Sequence, residues 1–232
     1  MTTAPFTQSV GLLRSVPYDP VKSFAPIIQV SEVSIVLAVH PSVPATSTQA
    51  FIDYVKARPG QVNYGSPGQG TPHHLTMELF KLATGTDLTP VTARGAAPAM
   101  QDLVGGHVSA MFLPVPVALP LAQANQIRIL AVASKQRLSL TPDVPTLAEQ
   151  GVTGVEAGIW HGLLAPAGTP PEVVARYNAT VNEILRSPQI VEALTKQGIT
   201  IVGGTPERFA EFIANDMAKW LKVVKAAGIV AD

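Results

Sequence analysis

The residues best suited to hold a ligand form one run, Tyr64-Gly65-Ser66-Pro67-Gly68-Gln69-Gly70-Thr71-Pro72-His73-His74-Leu75. Its glycines let a backbone approach a ligand closely, and Ser66 and Thr71 bring hydroxyl donors. Thr71 has the residue type of a helix N-cap, Pro72 suits the first helical position, and Gly85 is placed to end the helix. A strand that stops at Tyr64 or Gly65, a small-residue turn and a helix N-terminus aim unpaired backbone N–H groups at one spot. The positive end of the helix dipole lies behind them. That is the chemistry of an anion site, and it makes Ser66, Gly68, Gly70 and Thr71 ligand-binding candidates. His74, one turn into the helix, either orients the loop or touches a ligand carboxylate. A tight βα turn with no ligand is the plainer alternative.

Sharper motifs fail on the same residues. A nucleophile elbow needs glycine two residues before Ser66, where Tyr64 stands. A dinucleotide fingerprint starting at Gly68 meets His73 where its third glycine belongs, and no glycine–lysine pair makes a phosphate-binding P-loop. His73 and His74 are adjacent, so on a helix they point about 100° apart and do not chelate together. His74 and Glu78 share a face, but two ligands make a poor metal site. Arg94-Gly95, between an extended piece at 88–92 and a helix from about 97 to 104, is the second candidate. Arg94 is read either as a solvated cation or as the donor of a charge-assisted bond to a carboxylate. Trp160-His161-Gly162 is the third, with Trp160 lining a cleft or filling a core. With no cysteine, no serine motif and no local carboxylate pair, neither a catalytic residue nor a resident metal or cofactor is expected.

These residues need an α/β scaffold to position them. Apolar β-rich runs over 25–30, 34–39, 61–65, 108–112, 128–133, 162–165 and 200–202 alternate with helical patterns. Several are continuously apolar, as sheets covered on both faces require. The uncharged run 108–127 is long enough to raise a membrane span, but Pro114, Pro116 and Pro120 interrupt it, and it reads as a strand, a turn and a short helix. Thr169-Pro170-Pro171-Glu172 has the spacing of a capping box. Val173, Val174, Tyr177, Val181, Ile184 and Leu185 follow as one expected buried stripe. Thr205-Pro206-Glu207 starts the last helix, with Phe209, Phe212, Ile213, Trp220 and Val224 facing inward and Gly228 past its end.

The bulk numbers fit a globular protein with a sizeable core: 232 residues, 47% hydrophobic, mean hydropathy +0.27. Sixteen basic and sixteen acidic residues cancel, so no global field draws in nucleic acid or anionic lipid. A charged ligand must be attracted by a local site. No basic start and continuous apolar stretch marks residues 1–10 as a signal peptide.

At these residues the chain resembles the substrate-binding proteins of tripartite tricarboxylate transporters, the Bug or TctC-like family. The resemblance runs from about residue 15 to the C-terminus. It is carried by Pro17-Tyr18-Asp19-Pro20-Val21-Lys22-Ser23-Phe24-Ala25-Pro26, Val39-His40-Pro41-Ser42-Val43-Pro44, the run from Tyr64 to Leu75, and Pro142-Asp143-Val144-Pro145-Thr146. Gly162-Leu163-Leu164-Ala165-Pro166-Ala167-Gly168-Thr169-Pro170 and Val202-Gly203-Gly204-Thr205-Pro206-Glu207 continue it in the same order.

The resemblance implies a two-lobed α/β fold of the periplasmic binding protein type II kind, with a carboxylate-bearing solute in the cleft. Lobe 1 would comprise 1–33 and 160–232, and lobe 2, with the glycine-rich loop, 34–159, joined by crossing strands near 31–39 and 157–164. It implies a non-enzymatic, extracytoplasmic capture protein whose partners are a small organic acid and membrane permease subunits or a sensor kinase, without nucleic acid or membrane insertion. Two departures touch the pocket: Thr92-Ala93-Arg94-Gly95 stands where the family has Pro-Tyr-Lys/Arg-Gly, and Leu113-Pro114 where it has Asp-Asn. The family's signal peptide, first strand and opposing Pro/Gly-rich loop have no counterpart, so lobe 1 is expected to be incomplete, with weakened binding and association through an exposed edge. A stand-alone sensing domain, a truncated remnant and an α/β enzyme are the alternatives.

Overall fold

The computed structural model describes residues 1–12 and 18–229. Strand and helix alternate: β1 (Thr2–Thr3), α1 (Pro5–Leu12), β2 (Phe24–Val39), α2 (Thr48–Lys56), β3 (Val62–Ser66), α3 (Pro72–Thr84), β4 (Leu88–Thr92), α4 (Ala96–Val104), β5 (Ala110–Pro114) and α5 (Val115–Gln123). They continue with β6 (Arg128–Val132), a 3₁₀ turn (Ala148–Gln150), β7 (Gly158–Pro166), α6 (Pro171–Leu185), α7 (Pro188–Lys196), β8 (Ile199–Ile201) and α8 (Pro206–Ala227). Two compact units divide them, Met1–Val33 with Ile159–Asp232 and Ser34–Gly158.

In the second unit, β2 pairs antiparallel with β5 (Ile35↔Pro114 to Val39↔Ala110) and with β6 (Val36↔Val132 to Val39↔Arg128). Strand β3 pairs parallel with both β5 (Tyr64↔Ala110) and β4 (Val62↔Leu88 to Ser66↔Thr92). Strands β3, β4 and β5 therefore run the same way, and each is followed by a helix. The N-termini of α3, α4 and α5 collect at one edge of the sheet, where ligands bind in open parallel sheets.

Alternation along the strands sends Val36, Ala38, Met111 and Leu113 to one face, against Ala99 and Leu103 of α4. On the other, Phe112 meets Phe80 of α3 edge-on at 6.1 Å, and Phe80 meets Phe51 of α2 at 6.3 Å. Both faces are covered, which is why these strands read as unbroken apolar runs. The uncharged run around β5 resolves into that strand and α5, and no helix among the described residues is long and apolar enough to cross a membrane.

The first unit carries β7 between β1 and β2, with β8 pairing the middle of β2 at Ser31 to Val33. The two strands expected at 25–30 and 34–39 are the single strand β2. Ser31, Glu32 and Val33, which lie between those two runs, stay extended because they pair with Ile201, Thr200 and Ile199. One core cluster joins Ala4, Trp160, Phe209 and Ile213; another joins Ile27, Ile28 and Leu185. The buried Asp216 carboxylate holds the first together, accepting from Thr7 Oγ1 (2.7 Å), Trp160 Nε1 (3.1 Å) and Trp220 Nε1 (2.9 Å).

Helix ends follow the sequence signals in α3 and α8. Thr71 and Thr205 cap them with side-chain oxygens, and Gly85 (φ 63°) and Gly228 (φ 64°) close them in the left-handed region. Helix α6 differs. The expected capping box does not form, because Pro171 forces Pro170 into extended backbone (φ −54°, ψ 136°) and the helix starts one residue late. The Thr169 hydroxyl donates instead to Pro166 O at 2.8 Å. Nor is the α6 stripe buried whole: Val174, Val181 and Leu185 pack inward, while Val173, Tyr177 and Ile184 are 37%, 57% and 50% exposed.

Candidate functional site

The turn between β3 and α3 is built around one carbonyl. Gly68 O accepts from the Ser66 hydroxyl (2.9 Å), the Thr71 hydroxyl (2.8 Å) and the Thr71 N–H (3.3 Å). The Gly68 N–H returns to Ser66 Oγ at 3.2 Å, and Thr71 Oγ1 caps the helix by accepting from the His74 N–H at 3.5 Å. Ser66 is fully buried. The hydroxyl protons of Ser66 and Thr71 thus converge on the loop's own acceptor. Gly70 sits at φ 75°, where a side chain would be strained, and its N–H donates to His74 Nδ1 at 3.0 Å.

His74 belongs to a buried stack beneath the turn. Its ring lies against Tyr64, with centroids 6.2 Å apart and planes within 16°. The Tyr64 hydroxyl donates to Glu78 Oε1 at 2.6 Å, which Lys81 Nζ also holds at 2.9 Å. Burial and that bond to a carboxylate push the Tyr64 phenol up, so it stays protonated. Burial also lowers His74; Glu78 opposes the shift and Lys81 reinforces it. Because Nδ1 accepts from Gly70, the single proton of the neutral ring sits on Nε2. The neighbouring His73 faces different surroundings: its Nδ1 is buried with no partner, and burial lowers its pKa to about 4.

The second candidate lies alongside. The β4–α4 connection is tied to the first turn by Ala93 N–H to Ser66 O (2.8 Å) and Gly95 N–H to Pro67 O (3.1 Å). Gly95, at φ 114°, caps α4 without a side chain. Arg94 is exposed, and among the described residues no ion pair or hydrogen bond engages its guanidinium. The backbone N–H groups of Gln69 before α3, of His73 in its first turn, and of Ala96 and Ala97 at the start of α4 have no partner among the described residues. Two adjacent helix N-termini, four unpaired amides and a free guanidinium make a place for an oxyanion.

The second unit brings together Ser66, Gly68, Gly70, Thr71, His74 and Arg94. Trp160 belongs to the first unit. It is 1% exposed, stacks edge-on with Phe209 at 5.7 Å and donates its N–H to Asp216. Sequence reasoning did not single out the amides of Gln69, His73, Ala96 and Ala97, although helix starts at 72 and about 97 would have found them. It noted the shared face of His74 and Glu78 but not Tyr64, whose contact with Glu78 spans a strand and a helix.

The model of the family described as "Tripartite tricarboxylate transporter family receptor" (TctC) matches residues 1–229. The chain is 36% identical over 227 residues to Protein BugT of Bordetella pertussis, covering 98% of this chain and 70% of that protein. Across the first three curated relatives it spans 62–70% of their length. The structure titled "R. palustris Rpa4515 with adipate" is similar at a TM-score of 0.87 and 35% identity, covering 99% of this chain and 78% of the other. MatC (Rpa3494) from Rhodopseudomonas palustris, with bound malate, is similar at a TM-score of 0.81 and 28% identity, covering 96% and 77%. The fold is that of TctC- and Bug-type periplasmic binding proteins.

Proposed function

The chain belongs to the tripartite tricarboxylate transporter receptor family, and from that premise we propose that it captures a small carboxylate-bearing solute outside the cytoplasm for a membrane permease, without chemical turnover. The observation that carries the reading is the stitching of the two turns by Ala93 N–H to Ser66 O and Gly95 N–H to Pro67 O. It sets Arg94 and the start of α4 beside the start of α3. A carboxylate there would take charge-assisted bonds from Arg94 and from the unpaired amides. The Ser66 and Thr71 hydroxyls would exchange the Gly68 carbonyl for a ligand oxygen. Adipate and malate in two similar structures support a carboxylate as the ligand class.

A thermal-shift and calorimetric screen of mono-, di- and tricarboxylates, adipate and malate included, tests the reading at pH 7.5. At least one acid should raise the melting temperature by mass action. Arg94→Gln should weaken that acid about 10- to 100-fold, the usual worth of a hydrogen bond to a charged group. No stabilisation or heat at millimolar concentration from any acid would sink the proposal, and an Arg94→Gln protein that binds normally would remove Arg94 from the site.

A further inference from the structure

We propose that His74 is a positioning residue: its unprotonated Nδ1 holds the Gly70 N–H and sets the shape of the 67–71 turn, so that capture requires the neutral imidazole. The capture step in this inference rests on the carboxylate reading above; the latch itself does not. The Gly70 N–H to Nδ1 bond, 3.0 Å and buried, has only one assignment of protons, since an amide always donates. The acceptor cannot drift, because its ring is stacked on Tyr64, Tyr64 is fastened to Glu78, and Glu78 to Lys81. Gly70 itself is held in left-handed backbone. The orientation of its peptide, and with it the neighbouring Gln69 and Thr71 groups, is therefore dictated from beneath by one imidazole lone pair.

Adding a proton to Nδ1 would set two N–H donors against each other and leave the buried Gly70 amide without a partner. The charged and titratable groups facing the ring are Glu78 and Lys81 from α3 and Tyr64 from β3. Glu78 favours the cation and Lys81 opposes it, while the Tyr64 phenol is neutral and engaged with Glu78. Burial is the largest influence and keeps the ring neutral to lower pH than a free histidine. The sign follows. The latch is closed above about pH 6.5, the ordinary histidine value, and opens as pH falls toward the lowered value of the folded state.

The experiment reads the ligand-free protein first. In nitrogen–proton spectra between pH 8 and 4.5, the Gly70 amide should move with the titration of His74, and at pH 7.5 the ring proton should be on Nε2. His74→Asn places a non-titrating oxygen near the Nδ1 position, so Gly70 should hold still in that variant. A proton on Nδ1 at pH 7.5, or a Gly70 amide indifferent to His74, overturns the proposal. With adipate and malate as probes, His74→Ala should weaken binding about 10-fold or more at pH 7.5. His74→Asn should recover most of that loss and lack the decline that the wild type shows as pH falls below the ordinary histidine value. Wild-type affinity in His74→Ala, or an unchanged pH profile in His74→Asn, overturns it equally. If neither acid binds any of the proteins, the carboxylate reading fails, while the Gly70 and His74 signals still decide the latch.

Discussion

Helix α3 starts at Thr71-Pro72 in the second unit, and helix α6 starts at Pro171, after Thr169-Pro170, in the first. Thr71 caps its helix, whereas Thr169, displaced by a second proline, bonds back to Pro166. Helix α3 then buries Leu75, Thr76, Met77, Glu78 and Phe80, while α6 fully buries only Leu185. Both have apolar residues at helical spacing. What separates them is what they face. Helix α3 lies on a sheet flanked by other helices and carries a polar stack besides. Helix α6 meets its sheet along Val174, Val181 and Leu185, while Val173, Tyr177 and Ile184 of its second apolar row stay exposed. Periodicity reports which residues share a face; it does not report how wide a face the rest of the molecule covers.

The strongest way to break this contrast is inside the first unit, away from α6. If that unit were loosely packed throughout, Gly162→Ala would be tolerated. A Cβ at Gly162 would instead overlap the Phe209 ring and press on Ile28 O at 3.1 Å. Phe209 cannot yield easily, since it is wedged between Trp160 and Phe212. We expect a loss of about 3 kcal/mol in urea unfolding, the upper part of the overpacking range. The comparison in the second unit is Gly65→Ala, whose nearest neighbours are the side-chain tips of Val108 (3.2 Å) and Met111 (3.4 Å), and which should cost less. A Gly162→Ala cost below that of Gly65→Ala would mean that the open face of α6 reflects a slack unit rather than a local gap.

A smaller effect sharpens the caps. Thr71→Ala removes an oxygen that accepts from the His74 N–H, so it should cost about 1 kcal/mol. Thr169→Ala removes only a hydroxyl bonded within an exposed turn and should stay within about 0.5 kcal/mol. Equal losses would mean that α6 does begin at Thr169.

Much of this was legible in the residues themselves. The α/β order, the caps Thr71 and Thr205, the terminators Gly85 and Gly228 and the strand–turn–helix around Ser66 follow from local chemistry, which a short stretch contains in full. The continuity of β2 through Ser31 and Glu32 was not legible, because the pairing that sustains it comes from Ile199 to Ile201, far along the chain. The same holds at the site. Ser66, Gly68, Gly70, Thr71 and Arg94 stand out by type and spacing. That the two hydroxyls serve Gly68 O, and that His74 serves Gly70 through a stack on Tyr64, depends on rotamers and on a strand laid across a helix.

The smallest expected effect bears on the open row of α6. Tyr177, at 57% exposure, is its largest member. If nothing covers that row, Tyr177→Gln exchanges one solvated side chain for another. Stability should then move by no more than about 0.5 kcal/mol, with either sign allowed. If a second copy of the chain covers the row in solution, the substitution removes buried aromatic area. The melting temperature of the unsubstituted protein would then rise with concentration, while that of the variant would not, because association stabilises by mass action. Sedimentation at two concentrations separates these cases. A concentration-independent monomer whose stability ignores Tyr177→Gln confirms that the contrast between α3 and α6 lies in the width of the covered face. A dimer dispersed by the same change would show that α6 has a partner after all, supplied by another molecule.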